Sequence, residues 1–358
     1  MKKIICFIIF CAVLNACGQD KGFMGYSTAF VNEDSIIEIN HVGFADRENG
    51  VLYNIKTIQP VGSVSKTFIG VSLMIALEKG LLDLDDDINK YLDFEFVNPH
   101  YNKGEIITLR HLATHTSGIL DNEKAYESSY TYGLTPRLKL GDYLREYLAK
   151  GGNMYAKNNF SKDKPGTRYE YSNIASALAA YIVEKASGKP FDVFTDENIF
   201  SPLHMYNTGW YYKDISIANH AILYDERDIA LKPYSCDTYP DGSLKTTIFD
   251  LSIYLKELIK GYHGNSTLLT KDSWKELFEK NFHDKDNVKH KSEKEPNTGI
   301  FMMYFKSGTL GHTGSDYGVS AIMNFDPDSG EGKIFMANED ITIKNMEEFK
   351  SIWNNIGQ

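Results

Sequence analysis

A serine one helical turn before a lysine is the smallest pairing of a nucleophile with a base, and the chain holds it as Ser63-Val64-Ser65-Lys66. A free serine hydroxyl attacks poorly at neutral pH and needs an adjacent base. Lysine titrates near ~10.4 in water, but burial or a cationic neighbour lowers that value, so a desolvated Lys66 can accept the serine proton. Residues 64–80 contain no proline, repeat apolar side chains at Phe68, Val71, Ile75 and Leu77, and end on Gly80, which predicts a helix. Ser63 then stands at or just inside the helix N-terminus, with Lys66 on the same face. Backbone N–H groups and the helix dipole there favour developing negative charge, which suits acyl transfer. Alone, the spacing is common by chance and reads more readily as a capping serine followed by a solvated lysine.

Two further polar triplets bear on that choice. Tyr171-Ser172-Asn173 follows Pro165-Gly166-Thr167 and precedes an apolar helical run over residues 174–186. Residues two apart in an extended segment face one side, so Tyr171 and Asn173 can point into one cleft, the phenol relaying a proton and the amide holding a substrate amide. A buried tyrosine and a helix cap at Asn173 are the alternative. His312-Thr313-Gly314 opens GHTGSDYGVSAIMNFDP, whose alternation predicts a strand entering the core. There Gly314 and Ser315 let backbone approach a substrate and donate an N–H to an oxyanion. A turn with a surface histidine would read the same way.

Taken together and in this order, the triplets resemble those of the penicillin-recognising serine hydrolases: class C-like β-lactamases, serine DD-peptidases, D-aminopeptidases and related esterases. VGSVSKTF, EKGLLDLDDDINKYL, ITLRHLATHTSGI, KPGTRYEYSNIASALAAYIVEKASGKPF, SPLHMYNT and DGSLKTTIFDLSIYLKELI extend the resemblance from about Tyr26 to the C-terminus. It implies Ser63 as acylated nucleophile, Lys66 as base, Tyr171 as proton shuttle and Asn173 as holder of the substrate amide. The N–H groups of Ser63 and Ser315 would form the oxyanion hole, with Gly314 beside it. His312 would stand where many β-lactamases have lysine, near the substrate carboxylate. Histidine is charged only below about pH 6.5 unless perturbed, so carboxylate recognition is expected to be weaker or pH-dependent. Peptidase or broad amide and ester hydrolysis therefore ranks above β-lactamase activity. A protein that acylates once and acts as a penicillin-binding lipoprotein is the alternative from outside enzymology.

The fold implied is α+β and β-lactamase/transpeptidase-like: an antiparallel sheet flanked by helices, a mainly helical lobe, and the active site between them. Residues 26–80 and 246–358 are assigned to the sheet lobe and 81–245 to the helical lobe, together one domain. Strands are expected at residues 26–32 and 35–44 around Glu33-Asp34, and at 300–306, 318–325 and 333–338, before a helical tail at 344–356. Thr108 and Thr247 read as helix caps. The tyrosine-rich residues 121–164 are either a wall of the cleft or a variable loop, and residues 283–297 a solvated charged loop.

Composition sets outer bounds. The 358 residues suffice for a large core, and the net charge of −10 with no basic run beside aromatics makes nucleic acid an unexpected partner. Small molecules or peptides are the expected substrates. No cofactor is expected. Nor is a metal: His111 and His115 have zinc-pair spacing without an intervening glutamate, and Asp83, Asp85 and Asp87 start a calcium-like loop that lacks its glycine and glutamate.

Lys2 and Lys3, an apolar run over residues 4–14 and then Asn15-Ala16-Cys17 read as an export signal. The run is too short to span a bilayer of ~30 Å as a helix. Leu14-Asn15-Ala16-Cys17 resembles a bacterial lipobox, which implies cleavage after residue 16, lipidation of Cys17, a tether over residues 17–25 and a membrane-anchored protein in the cell envelope, facing the periplasm or the exterior. Cys236 is then the one cysteine outside the leader and its anchor, and is expected to be packed and inert.

Overall fold

The computed structural model describes residues 22–101, 105–283 and 288–358. The expected leader, its expected cleavage site and the anchor expected at Cys17 lie outside these residues.

Strands β1 (Gly25–Val31) and β2 (Ile36–Asp46) pair as a hairpin with Tyr26 opposite Val42, and β3 (Val51–Leu52) extends its edge. After the short strand β4 (Ile58–Pro60) comes helix α1 (Ser65–Glu78). The chain then passes through α2 (Leu109–Ala113), α3 (Glu123–Glu127), β5 (Tyr130–Tyr132), α4 (Leu140–Leu148), α5 (Asn173–Ser187), α6 (Phe191–Thr195) and β6 (Tyr234–Cys236). It returns through β7 (Lys245–Thr247), α7 (Ile248–Tyr262) and α8 (Lys271–Phe278). The last elements are β8 (Asn297–Thr298), β9 (Met303–Tyr304), β10 (Leu310–Asp316), β11 (Val319–Phe325), β12 (Gly332–Ala337) and α9 (Met346–Asn355).

The main sheet has the order β3-β2-β1-β12-β11-β10-β9-β8, antiparallel throughout, so the first and last strands of the chain meet at the centre with Tyr26 opposite Ala337. This is the α+β architecture that the resemblance implied. One face of the sheet is covered by α7, and the other by α9 through Phe349, Ile352 and Trp353 against Phe335. β4 pairs with β7 where the chain leaves the sheet region and re-enters it.

Helix α1 is buried all round: Ser65 through Ala76 are inaccessible, and the helix packs on α5 on one side and α8 on another. A helix apolar on every face belongs inside a large core. Its burial fixes the position of the residues at its start, because each fully enclosed Phe, Ile or Leu contributes about 1.5–3 kcal/mol against leaving that place.

Several local expectations take a definite form. Thr108 caps α2 by accepting from His111 N, with the His111 ring accepting from Thr108 N in return, and Thr247 caps α7 through Asp250 N. Of the expected strand at residues 300–306, Met303–Tyr304 is strand. Before it, Phe301 adopts φ 54°, and the N–H groups of Ile300 and Phe301 donate to Leu277 O and Ala113 O instead of to a neighbouring strand. Residues 121–164 are not a bare loop: they contain α3, β5 and α4, and β5 pairs with β6. Cys236 is buried, its Sγ within 3.2 Å of Ser129 Oγ, and burial pushes its thiol pKa well up.

Candidate active site

The residues just before α1 form a 3-10 turn, Gly62–Val64, so Ser63 sits half-buried one step ahead of the helix proper. Lys66, in the first turn of α1, is fully buried and donates from Nζ to Ser63 Oγ at 2.9 Å, to Asn173 Oδ1 at 2.7 Å and to the Asp241 backbone oxygen at 2.6 Å. Burial drives its pKa from 10.5 down to about 8, against the opposing pull of the Asp241, Asp121 and Asp316 carboxyls. No carboxylate forms an ion pair with the amine among the described residues. A direct pair would hold the proton on Lys66 and cancel the effect of burial.

Asn173 is brought to Lys66 by α5. The cap of that helix is Ser172, whose Oγ accepts from Ala175 N at 3.0 Å, so the Asn173 side chain is not needed there and turns to the lysine. Asp121 secures the same helix start: its carboxylate accepts from Ser172 Oγ at 2.9 Å, Asn173 N at 2.8 Å and Ile174 N at 3.1 Å. Opposite dipoles make a carboxylate favourable at that position.

Tyr171 precedes the cap, and its ring lies 5.0 Å from Lys66 Nζ. Its hydroxyl is buried beside Ser63 but completes no hydrogen bond of good geometry, and burial raises its pKa, so it is a neutral phenol. His115 supports it from behind. That ring is tilted against the Tyr171 ring at 4.3 Å, and its Nδ1 accepts from Ser172 N at 3.2 Å. His115 also has φ 56°, a left-handed conformation that costs a histidine energy and persists only where the surroundings enforce it. The sequence pointed to His115 only as a possible zinc partner of His111. In the structure His111 serves the α2 cap and His115 the tyrosine.

Strand β10 delivers the third triplet. A Cβ added to Gly314 would stand 2.0 Å from Val61 O and 3.0 Å from Ser63 N, and one added to Gly62, which has φ 52°, would stand 2.6 Å from Ser315 N. Two glycines thus let the strand lie directly against the nucleophile turn, with the N–H groups of Ser63 and Ser315 close together. Gly62 was not singled out in the sequence, although a glycine before Ser63 is the visible trace of this approach.

His312 is placed differently from the expectation. Its side chain is buried at 1% exposure, Nδ1 lies 2.6 Å from Thr313 O, and the ring is absent from the cleft lining. Burial, reinforced by the charge of Lys66, pushes its pKa down to about 3. It therefore supplies no cation at neutral pH for the carboxylate contact expected of it. Thr313, Gly314 and Ser315 line the cleft in its stead.

The cleft encloses about 670 Å³ between the sheet and the helical region. Beside Ser63, Tyr171 and Asn173 it is walled by Tyr126 and Tyr130 from residues 121–164, and by the carboxyls of Asp241, Glu295 and Asp316. Glu295 belongs to the charged segment expected to be plain surface; burial raises its pKa. Among the described residues no lysine, arginine or histidine lines this cleft.

The sequence matches the family model "Beta-lactamase" over residues 11–348. The chain belongs to the beta-lactamase family. It is thus a serine hydrolase of the β-lactamase and penicillin-binding type. It is 27% identical to PbpX of Bacillus subtilis (strain 168) over 264 residues, 73% of this chain and 60% of that protein. It is 25% identical to Protein flp of Staphylococcus aureus (strain MRSA252), over 65% of this chain and 44% of that one. The chain therefore spans less than two thirds of the length of these curated relatives. Among solved structures, a beta-lactamase/D-alanine carboxypeptidase from Yersinia pestis superposes with a TM-score of 0.72 over 93% of each chain at 19% identity, a likeness of fold.

Proposed function

We propose that this chain is an exported serine hydrolase that forms an acyl-enzyme on Ser63, with D-amino-acid-containing peptides as its substrate class. The observation that carries the reading is the fully buried Lys66, 2.9 Å from Ser63 Oγ and with its pKa lowered to about 8. Neutral Lys66 takes the Ser63 proton as Oγ bonds to the substrate carbonyl, and the N–H groups of Ser63 and Ser315 receive the oxyanion. As the carbonyl re-forms, the bond to the leaving group breaks. Tyr171 passes its phenolic proton to the departing amine or alkoxide and is refilled from Lys66, which restores the neutral amine. Asn173, fixed by its Oδ1 contact to Lys66, presents Nδ2 to the substrate amide. Water then attacks the acyl-enzyme, and the proton transfers run again with water in place of the serine.

Substrate class follows from the cleft wall and from kinship. The Yersinia pestis neighbour is a beta-lactamase/D-alanine carboxypeptidase, a name that covers both D-peptides and β-lactams. The lack of a lining cation among the described residues favours a second reading, hydrolysis of short neutral esters, over efficient turnover of carboxylate-bearing β-lactams. Parallel turnover of a D-alanyl peptide, a nitrophenyl ester and a cephalosporin by one preparation decides between them: the peptide is expected to give the largest kcat/KM, and dominant cephalosporin turnover would overturn the assignment.

The leader supports export and lipidation at Cys17, which would hold the enzyme on the envelope membrane. Metabolic labelling with radioactive palmitate in a bacterial host should mark the wild type and not Cys17→Ala; equal labelling of both would refute the anchor.

A further inference from the structure

Three carboxyls face the cleft and neither bind nor exchange a proton with the substrate in the acyl transfer derived above: Asp241, Glu295 and Asp316. Among the described residues none of them forms an ion pair. Asp241 is only 2% exposed, and its Oδ2 is buried on the cleft wall with no hydrogen-bond partner. Its Oδ1 accepts from Tyr126 Oη at 3.2 Å, and Lys66 reaches its backbone oxygen, not its carboxylate. A buried acceptor left unmade is costly unless a ligand completes it.

Asp316 ends β10, one residue beyond Ser315, and is half-buried; its Oδ1 accepts from Tyr317 N at 2.8 Å. Lys245 acts on it electrostatically but donates its own N–H groups to Trp210 O at 3.1 Å and Ser243 O at 3.0 Å. The rings of Tyr126 and Tyr130 stand edge to face at 5.8 Å on the same cleft wall, with the Tyr126 hydroxyl turned to Asp241 and the Tyr130 and Tyr234 hydroxyls to Asp316. Carboxylates framed by aromatic faces select cations, the first through charge and the second through the ring quadrupole.

We propose that Asp241 and Asp316, with Tyr126 and Tyr130, form a subsite for a primary ammonium group of the substrate, so that the enzyme acts on D-amino-acid amides or peptides whose amino group is free. The inference rests on Ser63 being the nucleophile. It gives the absence of a lining cation a purpose: at the amino end of the substrate the site disfavours anionic groups such as an N-succinyl. It also ties binding to chemistry. An ammonium beside Asp241 offsets the field that holds the proton on Lys66, and so favours the neutral amine when the correct substrate is present.

The test measures the rate at which a neutral fluorophosphonate labels the full chain, with D-alaninamide, N-acetyl-D-alaninamide or N-succinyl-D-alaninamide as competitor. These competitors differ at one end by being cationic, neutral or anionic. D-alaninamide should protect at a concentration at least about tenfold lower than the neutral analogue, with the anion weakest. In Asp316→Asn and in Asp241→Asn the preference should fall to within about threefold, and continued labelling of each variant shows that its site is folded. Equal or better protection by the neutral or anionic analogue in the wild type would overturn the subsite, as would full retention of the preference in both variants. Failure of the probe to label Ser63 at all would instead refute the acyl-enzyme reading beneath it.

Discussion

Replacing Asp241 with asparagine should make Ser63 react at lower pH. The Asp241 carboxyl is the largest of the charges that pull the Lys66 pKa upward, against a burial effect that brings it from 10.5 to about 8. At pH 7.4 a lysine at about 8 is neutral in about a fifth of molecules, against about 0.1% for one in water, so burial, even opposed by these carboxyls, enriches the base form by more than about a hundredfold. An unpaired carboxylate acting through an effective dielectric near 20 is worth on the order of 1–3 kcal/mol at side-chain separations, or about 1–2 pH units. Asp241→Asn removes that contribution, so the protonated lysine loses support and its pKa falls. The assay is the second-order rate of labelling by a neutral fluorophosphonate between pH 5.5 and 10, which isolates the enzyme's own titration. The wild-type rate should rise with pH through an apparent value near 8, reported by the Lys66 and Asp241 pair together. In the variant the limb should move down by about one pH unit or more. A limb that stays in place or moves up would refute the argument that this carboxylate tunes the base.

Other outcomes follow from individual contacts. Tyr171→Phe should lower kcat by about 10²–10⁴ with little change in KM, because the neutral phenol beside Ser63 is assigned to proton transfer and not to affinity; a loss under threefold would contradict that role. His115→Ala should reduce kcat by releasing the ring tilted against Tyr171 at 4.3 Å, and should add little in a Tyr171→Phe background, which a double-mutant cycle reads directly. Gly62→Ala places a Cβ 2.6 Å from Ser315 N at a left-handed backbone position, so it should cost about 1–3 kcal/mol in denaturant stability and about 10² or more in acylation rate.

What the sequence revealed, and what it hid, divides by distance along the chain. Ser63 and Lys66 are three residues apart, and helical geometry alone put them on one face. The caps at Thr108 and Thr247 were equally legible, being local bonds over three residues. The choice of cap at α5 was finer. Asn173 and Ser172 both suit a helix start, and only the tertiary contact with Lys66 shows why the serine takes the cap and the asparagine the lysine. Asp241 reaches the site from a segment apart from the triplets, so no spacing marked it; His115 showed only its spacing from His111, and Asp316, though next to Ser315, carried no sign of its role. His312 was visible as a residue but not as an environment. Its chemistry is set by complete burial, which comes from how β10 packs and not from the His-Thr-Gly pattern. The same holds for Lys66, whose sequence context suggested desolvation without fixing its extent.

The central claim, a Ser63 acyl-enzyme, is tested most directly by intact mass. The protein is mixed briefly with a D-alanyl ester, quenched in acid and weighed, and the modified peptide is sequenced. The account predicts an added mass equal to the acyl group, located on Ser63 and absent from Ser63→Ala. An adduct on another residue, or one that persists undiminished in Ser63→Ala, would contradict it.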